Sequence, residues 1–104
     1  MKVYIAGAIS GVSDYAERFG QAEERLKKAG HVVLNPAKLP VGMSKADYMR
    51  ICLAMIDSAD IVYLLPGANL SKGAAVEKRY CEYIGKPIAV SDGLLRSINT
   101  LEWE

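Results

Sequence analysis

Hydrophobic and polar positions follow two periods in turn along this chain, and their alternation predicts its elements. Short apolar runs typical of buried strands are separated by segments in which apolar residues recur every three or four positions, as on one face of a helix. The predicted strands are residues 2–6, 31–34, 61–65 and 87–90, and the predicted helices are 14–29, 44–59 and 71–84. Strands and helices therefore alternate with short connections.

The ends of the predicted helices carry residues that favour helix starts and stops. Ser44 is placed to cap the second helix, with Asp47 close to a capping-box position, and the third helix starts at Ser71. Gly30 and Gly85 follow the last apolar positions of the first and third helices, where a left-handed residue ends a helix.

Alternating strands and helices of this kind form a parallel sheet with helices on both faces and right-handed crossovers. We predict a small Rossmann-like (flavodoxin-like) α/β fold with strand order 2-1-3-4. Strands 1 and 3 are then neighbours, and the chain reverses direction between them. Ligands bind at the carboxyl ends of the strands at such a switch point, so the loops at residues 7–11 and 66–71 are predicted to border a site.

Composition narrows the class of protein. The chain has 104 residues, 51% of them hydrophobic, and a formal net charge of +1 with acids and bases interleaved. This predicts one domain over residues 1–104, in which the pattern of residues 91–104 is the least clear. The balanced charge argues against nucleic acid or an anionic membrane surface as a partner. No apolar run is long enough to be a signal peptide or to cross a membrane.

The cysteine and histidine content bears on location and cofactors. Cys52 and Cys81 both lie at apolar helical positions, which is typical of free buried thiols in a reducing compartment, and we expect a cytoplasmic protein. His31 is the only histidine, and it leaves no convincing set of metal ligands. We therefore expect neither a metal nor another cofactor.

One carboxylate lies where a structural residue would be apolar. At 100° per residue, Glu77 falls near the centre of an apolar stripe on the third helix, between Ala74 and Cys81. A carboxylate there must be desolvated, paired or used. Gly73, one turn earlier, leaves open space above it, and the helix start offers free N–H groups to an anion or polar ligand. The alternative is that Glu77 reaches the rim of the stripe and caps a neighbour.

The first predicted loop, GAISG, follows a strand and contains two glycines that allow the backbone to approach a phosphate or sugar closely. It lacks the spacing of a dinucleotide fingerprint and the GK[ST] of a P-loop. Its other interpretation is a tight strand-to-helix turn. Its convergence with residues 66–71 and Glu77 at the switch point favours a binding role.

Several collinear motifs resemble the nucleoside 2-deoxyribosyltransferase superfamily. They are Tyr4 to Gly7 followed by Ile9, the pair Ala59-Asp60 opening the third strand, and the series Ser71-x-Gly73-x-x-x-Glu77. Asn35-Pro36 and the run YLLPG at residues 63–67 resemble a small bacterial and phage branch related to 2′-deoxynucleoside 5′-phosphate N-hydrolases. The resemblance extends from residue 2 to about residue 90 and implies the fold predicted above.

The resemblance also implies chemistry. It implies cleavage or transfer at the N-glycosidic bond of a (deoxy)nucleoside or nucleotide, with Glu77 as the nucleophile and Tyr4 as the residue that orients it. By the same resemblance, Ser71 and Gly73 hold the 5′ end of the substrate. The first loop holds the sugar through Gly7, Ala8, Ile9, Ser10 and Gly11.

Cys52 departs from the family pattern. The family usually carries an aspartate eight residues before the Asp of the Ala-Asp pair, where it handles the departing base, and Cys52 occupies that position here. A thiol is a weak acid and a poor hydrogen-bond donor, and Cys52 is also interpretable as a small buried hydrophobe. The related hydrolases carry an arginine where Ser10 stands, so a 5′-phosphate would be met by Ser10, Ser71, Lys72 and backbone N–H groups.

Other polar residues have structural interpretations beside functional ones. Asp47 and Asp60 are candidates for a second carboxylate, but they are also a capping-box partner and a residue at a strand entrance. Tyr15, Tyr48 and Tyr80 lie at inner-face positions typical of a core.

Two functions remain open at this point. One is an enzyme acting on an N-glycosidic bond, favoured by the pairing of Tyr4 with Glu77. The other is a non-catalytic protein that senses or sequesters a nucleotide, favoured by Cys52. Either way the partner is a small-molecule nucleoside or nucleotide.

Apolar residues beyond the needs of one core predict a homodimer, with helices near the cleft at the interface and the tail around Trp103 near the partner. These residues are Met49, Leu53, Met55 and Tyr83.

Overall fold

The structure is a computed structural model and describes residues 1–90; the predictions for residues 91–104 lie outside the described residues. The strands are β1 (Lys2–Ala6), β2 (Val32–Leu34), β3 (Ile61–Leu64) and β4 (Ile88–Val90). The α-helices are α1 (Tyr15–Lys28), α2 (Lys45–Ser58) and α3 (Lys72–Ile84). Single 3₁₀ turns at Pro36–Lys38 and Ala68–Leu70 lie in segments that the sequence analysis left without regular structure. None of the three described α-helices has both the length and the apolar composition of a membrane span.

The sheet has the order β2-β1-β3-β4, and all of its strands are parallel, which confirms the predicted fold class. β1 pairs with β2 through Lys2–Val32 and with β3 through Tyr4–Val62. The two strands at the centre, β1 and β3, are therefore neighbours, and the connections that leave them diverge at the carboxyl end of the sheet.

Two hydrophobic clusters cover the two faces of the sheet. Because side chains alternate along a strand, Val3 and Ile5 face α1, whereas Tyr4 and Ala6 face α2 and α3. The α1 cluster consists of Val3, Ile5, Phe19, Ala22, Leu26, Ile61, Tyr63, Leu65 and Ala89. The opposite cluster consists of Tyr4, Ala6, Cys52, Ile56, Ala59, Val62 and Cys81. Tyr4 thus shares a face with the cysteine of α2.

The helix ends follow the sequence signals with one correction. The hydroxyls of Ser44 and Ser71 accept hydrogen bonds from backbone N–H groups three residues on, at 3.1 and 3.2 Å. Gly85 ends α3 at φ +78°. The interpretation of Asp47 as a capping-box partner is wrong for its side chain, because its carboxylate binds Arg50 at 3.0 Å. An aspartate is shorter than the Glu or Gln of a capping box, and Arg50 is one turn away.

A buried carboxylate holds the connection after β2 against α1. Glu23 accepts a hydrogen bond from the Asn35 amide at 2.8 Å and pairs with Lys27 at 2.7 Å and Lys38 at 3.0 Å. Asn35 in turn accepts from the N–H of Ala37 at 2.9 Å, which starts the 3₁₀ turn. Hydrogen bonds from Lys27 and then Asn35 lower the pKa of the Glu23 carboxyl to about 2.

Candidate active site

A cleft of about 610 Å³ opens at the carboxyl end of the sheet, at the switch point between β1 and β3. Its walls come from the loop after β1, the connection after β2, and the opening turns of α2 and α3. In open parallel α/β sheets this is the position at which ligands bind. The loop at residues 7–11 and the start of α3 both contribute to it, whereas residues 66–69 do not line it.

Most of the residues expected at a site line this cleft. Those that do are Gly7, Ile9, Ser10, Cys52, Ser71, Gly73 and Glu77. Tyr4 is fully buried beside them rather than on the cleft surface, and Ala8 and Gly11 do not line the cleft. The structure thus brings residues from β1, α2 and α3 together around one carboxylate.

Glu77 lies in α3 with 8% of its surface exposed. Burial raises the pKa of its carboxyl to about 7, and the nearby Tyr4 hydroxyl and Cys52 thiol oppose that rise only in part. None of the described ion pairs includes Glu77. The raised pKa places the protonation equilibrium of this carboxyl near neutral pH.

Tyr4 supplies a buried hydroxyl beside Glu77 and Cys52. Burial, and then the charge of Glu77, hold the pKa of the Tyr4 hydroxyl far above its usual value, so it stays protonated. Its O–H lowers the pKa of Glu77, yet no described residue accepts from it with full hydrogen-bond geometry. The hydroxyl is therefore near the carboxylate but forms no hydrogen bond with it in this structure.

Cys52 completes what we call the buried cluster, formed by Tyr4, Cys52 and Glu77. Its side chain extends from α2, and the residue is 7% exposed. Burial raises the pKa of the Cys52 thiol, the nearby Tyr4 hydroxyl opposes that rise, and the charge of Glu77 adds to it. Cys52 is thus a neutral thiol near the carboxylate of Glu77, and both residues line the cleft.

The two glycines that line the cleft, Gly7 and Gly73, have different surroundings. A Cβ at Gly7 would lie 3.1 Å from the Phe19 ring and 3.2 Å from Leu65 Cβ, so close packing of the loop against α1 and β3 explains this glycine. A Cβ at Gly73 would meet only Ser71 Oγ at 3.9 Å and Met49 Cε at 4.0 Å. The space above Glu77 is therefore open, as the position of Gly73 one turn before Glu77 predicts.

Two lysines and two tyrosines also line the cleft. Lys45 and Lys72 are the first residues of α2 and α3. Tyr15 and Tyr48, which the sequence analysis assigned to the core, are only half-buried and form part of the cleft wall. The Tyr48 hydroxyl donates to the carbonyl of Pro40 at 2.6 Å, which fixes its ring.

Lys45 lines the cleft but belongs to no motif of the sequence, and only its helical spacing could have indicated this position. Lys45, Tyr48, Met49 and Cys52 recur at helical intervals, so they share the face of α2 that looks toward the switch point.

The other carboxylates considered from sequence lie elsewhere. Asp60 accepts from the N–H of Lys2 at 2.8 Å at the amino end of the sheet, and Asp47 is bound to Arg50 on the surface. Tyr80 donates to Asp57 at 2.6 Å and does not line the cleft. Among the described residues that line the cleft, Glu77 is the only carboxylate. Within residues 1–90 no group of three or more His, Cys, Asp or Glu side chains is placed to hold a metal ion.

The fold and the cleft define a class: a small parallel α/β domain with a cleft at the switch point and a buried carboxylate on the helix after β3. The sequence profile of a family described as "Domain of unknown function (DUF4406)" matches residues 1–90. The chain belongs to that family.

A solved structure shares this fold. It is a 2-deoxyribosyltransferase from the psychrotolerant bacterium Bacillus psychrosaccharolyticus, with a TM-score of 0.71 and 23% sequence identity over 86% of this chain and 71% of that one. That protein is described as a biocatalyst for the synthesis of antiviral and antitumoral nucleosides. The match confirms, at the level of the fold, the resemblance seen in the sequence. No curated protein matches this chain.

Proposed function

We propose that this protein cleaves or transfers at the N-glycosidic bond of a (deoxy)nucleoside or nucleotide, with Glu77 as the nucleophile. The observation that carries the proposal is a carboxylate that is buried, faces an open cleft at the switch point, and is paired with no described cation. Burying an unpaired carboxylate is unfavourable for folding, because desolvation disfavours its charged form. Carboxylates of this kind are concentrated at functional sites.

The reaction would follow the logic of a retaining glycosidase. A Glu77 oxygen attacks C1′ of the sugar, and the electron pair of the C1′–N bond leaves with the base. The oxygen of a water molecule, or the nitrogen of a second base, then attacks C1′, releases the carboxylate of Glu77 and loses a proton, which balances the proton that the departing base takes up. A covalent glycosyl ester of Glu77 is therefore the expected intermediate.

The surrounding residues have roles that fit this reaction. The Tyr4 hydroxyl is close enough to favour the ionised form of Glu77 and to orient it. The loop at Gly7 and Ser10 lies on the sugar side. Ser71 uses its oxygen to accept from Ala74, so its O–H can donate to the 5′ end of a substrate, where Lys72 adds positive charge. The 2-deoxyribosyltransferase that shares the fold supports the choice of substrate class.

The second candidate function is binding without catalysis, and Cys52 is the observation that favours it. The thiol beside Glu77 has a raised pKa and is a poor proton donor, so a base that must be protonated to leave receives little help. A protein with this cluster would hold a nucleotide without cleaving it.

Base release distinguishes the two functions. The protein is incubated with deoxyribonucleosides, ribonucleosides and their 5′-monophosphates, and free base is measured by chromatography. An enzyme releases base, and Glu77→Gln abolishes the release while binding remains. The matched control is Glu82→Gln, which changes an exposed carboxylate of the same helix that pairs with Lys78. Saturable binding of a nucleotide with no base released by the parent protein would support the second function.

We also propose that the protein is a cytoplasmic homodimer. Val41, Leu70 and Val76 line the cleft and are 81%, 84% and 50% exposed, so a second copy could cover apolar surface at the cleft mouth. Of the residues expected at the interface, Leu53 and Met55 instead pack against the core, whereas Tyr83 is 91% exposed.

Light scattering at micromolar concentration tests the dimer. We expect twice the monomer mass for the parent protein and the monomer mass for Leu70→Glu. A parent protein that scatters as a monomer would contradict the proposal.

A further inference from the structure

The positively and negatively charged residues of the cleft lie at different ends of it. Lys45 and Lys72 begin α2 and α3, whereas Cys52 and Glu77 lie farther along the same helices. At 1.5 Å per residue, Lys72 is about 8 Å from Glu77 along the axis, and Lys45 is about 10 Å from Cys52. The described part of the cleft is therefore cationic at the helix starts and anionic at the buried cluster.

The wall between these ends is apolar and aromatic. Tyr15, Tyr48 and Met49 all line it, and Tyr48 is fixed by its hydrogen bond to Pro40. Aromatic faces and a desolvated carboxylate both attract a positive charge on a bound ring. A positively charged ring bound in this part of the cleft would be attracted both by the aromatic side chains and by the carboxylate of Glu77.

The leaving base poses a chemical requirement. A neutral base departs as an anion unless an acid protonates it, and an effective acid contributes about 100-fold or more to such a step. The group that faces Glu77 is the Cys52 thiol, whose raised pKa makes it a weaker acid than a free thiol. A base that is already cationic needs no proton, because the electron pair of the breaking bond neutralises it.

We propose that this cleft selects N-glycosides whose base is a cationic ring, such as pyridinium nucleosides and their 5′-phosphates. The inference rests on the proposed function and deepens it by naming the substrate class. A Glu77 oxygen forms a bond to C1′, and the C1′–N pair moves onto the ring nitrogen, so that a neutral base leaves. Water then displaces the sugar from Glu77, releasing one proton to solvent. An anionic 5′ group would lie toward Lys45 and Lys72.

A binding experiment tests the selection without requiring turnover. The probes are nicotinamide riboside, which carries a pyridinium, and its neutral 1,4-dihydro form, which has nearly the same shape. At pH 8 we expect the parent protein to bind the pyridinium form at least about tenfold more tightly, and Glu77→Gln to remove most of that preference. Glu82→Gln, on the same helix, should retain it. Equal affinity of the parent protein for the two probes would overturn the proposal.

A kinetic experiment tests the leaving-group argument. We expect kcat/KM for nicotinamide riboside to exceed that for inosine by at least about 100-fold, since inosine must be protonated to leave. Cys52→Asp should raise the inosine rate about tenfold or more and narrow this ratio, whereas Cys52→Ser introduces no acid and should not narrow it.

The outcomes separate this inference from the proposed function. Equal cleavage of inosine and nicotinamide riboside would overturn the selection and leave the enzyme intact. Charge-selective binding with no base released from either compound would support the selection and contradict the enzyme.

Discussion

Glu23 and Glu77 are both covered carboxylates on helices, and their surroundings differ in kind. Glu23 on α1 has an amide and two ammonium groups within 3.0 Å, and its pKa is lowered to about 2. Glu77 on α3 faces a phenol, a thiol and open space, and its pKa is raised to about 7. The first arrangement stabilises a charge. The second leaves a charge poorly stabilised at the place where a ligand would enter.

Burial alone does not distinguish these two carboxylates. Both residues are less than one-tenth exposed. What differs is whether the protein itself supplies the groups that satisfy the charge. Glu23 is satisfied and serves to hold the connection after β2, whereas no described ion pair includes Glu77.

The largest expected effect is on base release. Glu77→Gln should lower it at least about thousandfold, because an amide cannot attack C1′, whereas Glu23→Gln should change it by less than about threefold. Initial rates on the best nucleoside substrate check both variants. Parental rates in Glu77→Gln would end the assignment of the nucleophile.

The next effect is the pH dependence of the rate. The proposed attack requires an ionised Glu77, and the pKa of this carboxyl is about 7, so kcat/KM should fall about tenfold per pH unit below pH 7. Glu23, ionised above about pH 2, should contribute nothing to the profile in this range. A profile measured from pH 5 to 9 that stays flat across pH 7 would contradict the raised pKa.

The stability of Glu77→Gln should depend on pH with a definite sign. Between pH 4.5 and 7 the folded carboxyl retains a proton that the unfolded one has lost, so the free energy of unfolding of the parent protein falls as pH rises. Glu77→Gln removes this penalty. It should be more stable than the parent by up to about 3 kcal/mol at pH 8 and nearly equal to it at pH 4. Urea unfolding at the two pH values measures the difference, and a gap that widens toward acid would refute it.

Glu23→Gln should show the opposite sign. The lowered pKa of Glu23 means that its contribution is complete above pH 4.5 and is lost as pH falls toward 2. Lys27 and Lys38 are 59% and 68% exposed, and the carboxylate lies close to the surface, so solvent screening reduces the effect to about 1–2 kcal/mol at pH 7. Urea unfolding at pH 7 and pH 3 compares the variant with the parent. A loss that persists unchanged at pH 3 would show that packing, not charge, is responsible.

The smallest expected effect is that of Tyr4→Phe. Its hydroxyl lowers the pKa of Glu77, so removing it should move the midpoint of the rate profile to higher pH by less than about one unit. Because the hydroxyl has no well-aligned described acceptor, stability should change by less than about 1 kcal/mol. Tyr80→Phe, which loses a hydroxyl bound to Asp57 outside the cleft, should leave the midpoint in place. An unmoved midpoint in Tyr4→Phe would exclude its influence on Glu77.

Much of the fold followed from local pattern. The strand order could be predicted because parallel strands joined by helical crossovers allow few topologies. The caps at Ser44 and Ser71 could be predicted because each is a hydrogen bond between residues less than four positions apart. Periodicity likewise placed Glu77 on the inner stripe of α3.

The features that could not be predicted depend on the three-dimensional positions of the ends of helices and strands. Tyr15 and Tyr48 are on inward faces, but those faces extend past the short strands and border an opening instead of a core. The partners of Glu23 come from Asn35 and Lys38, which lie beyond the next strand, so no helical period shows them.

The central position of β1 also has a consequence for folding. Its partners lie about 30 and about 58 residues away along the chain, and pairings of this separation close slowly because the intervening chain must first be ordered. The cleft draws on residues from Gly7 to Glu77, so no shorter fragment contains it. A ligand that binds the cleft therefore binds only the fully assembled domain. At 100 times its dissociation constant it should stabilise the whole domain by about 2.7 kcal/mol, which makes melting temperature a direct way to screen nucleosides against this protein.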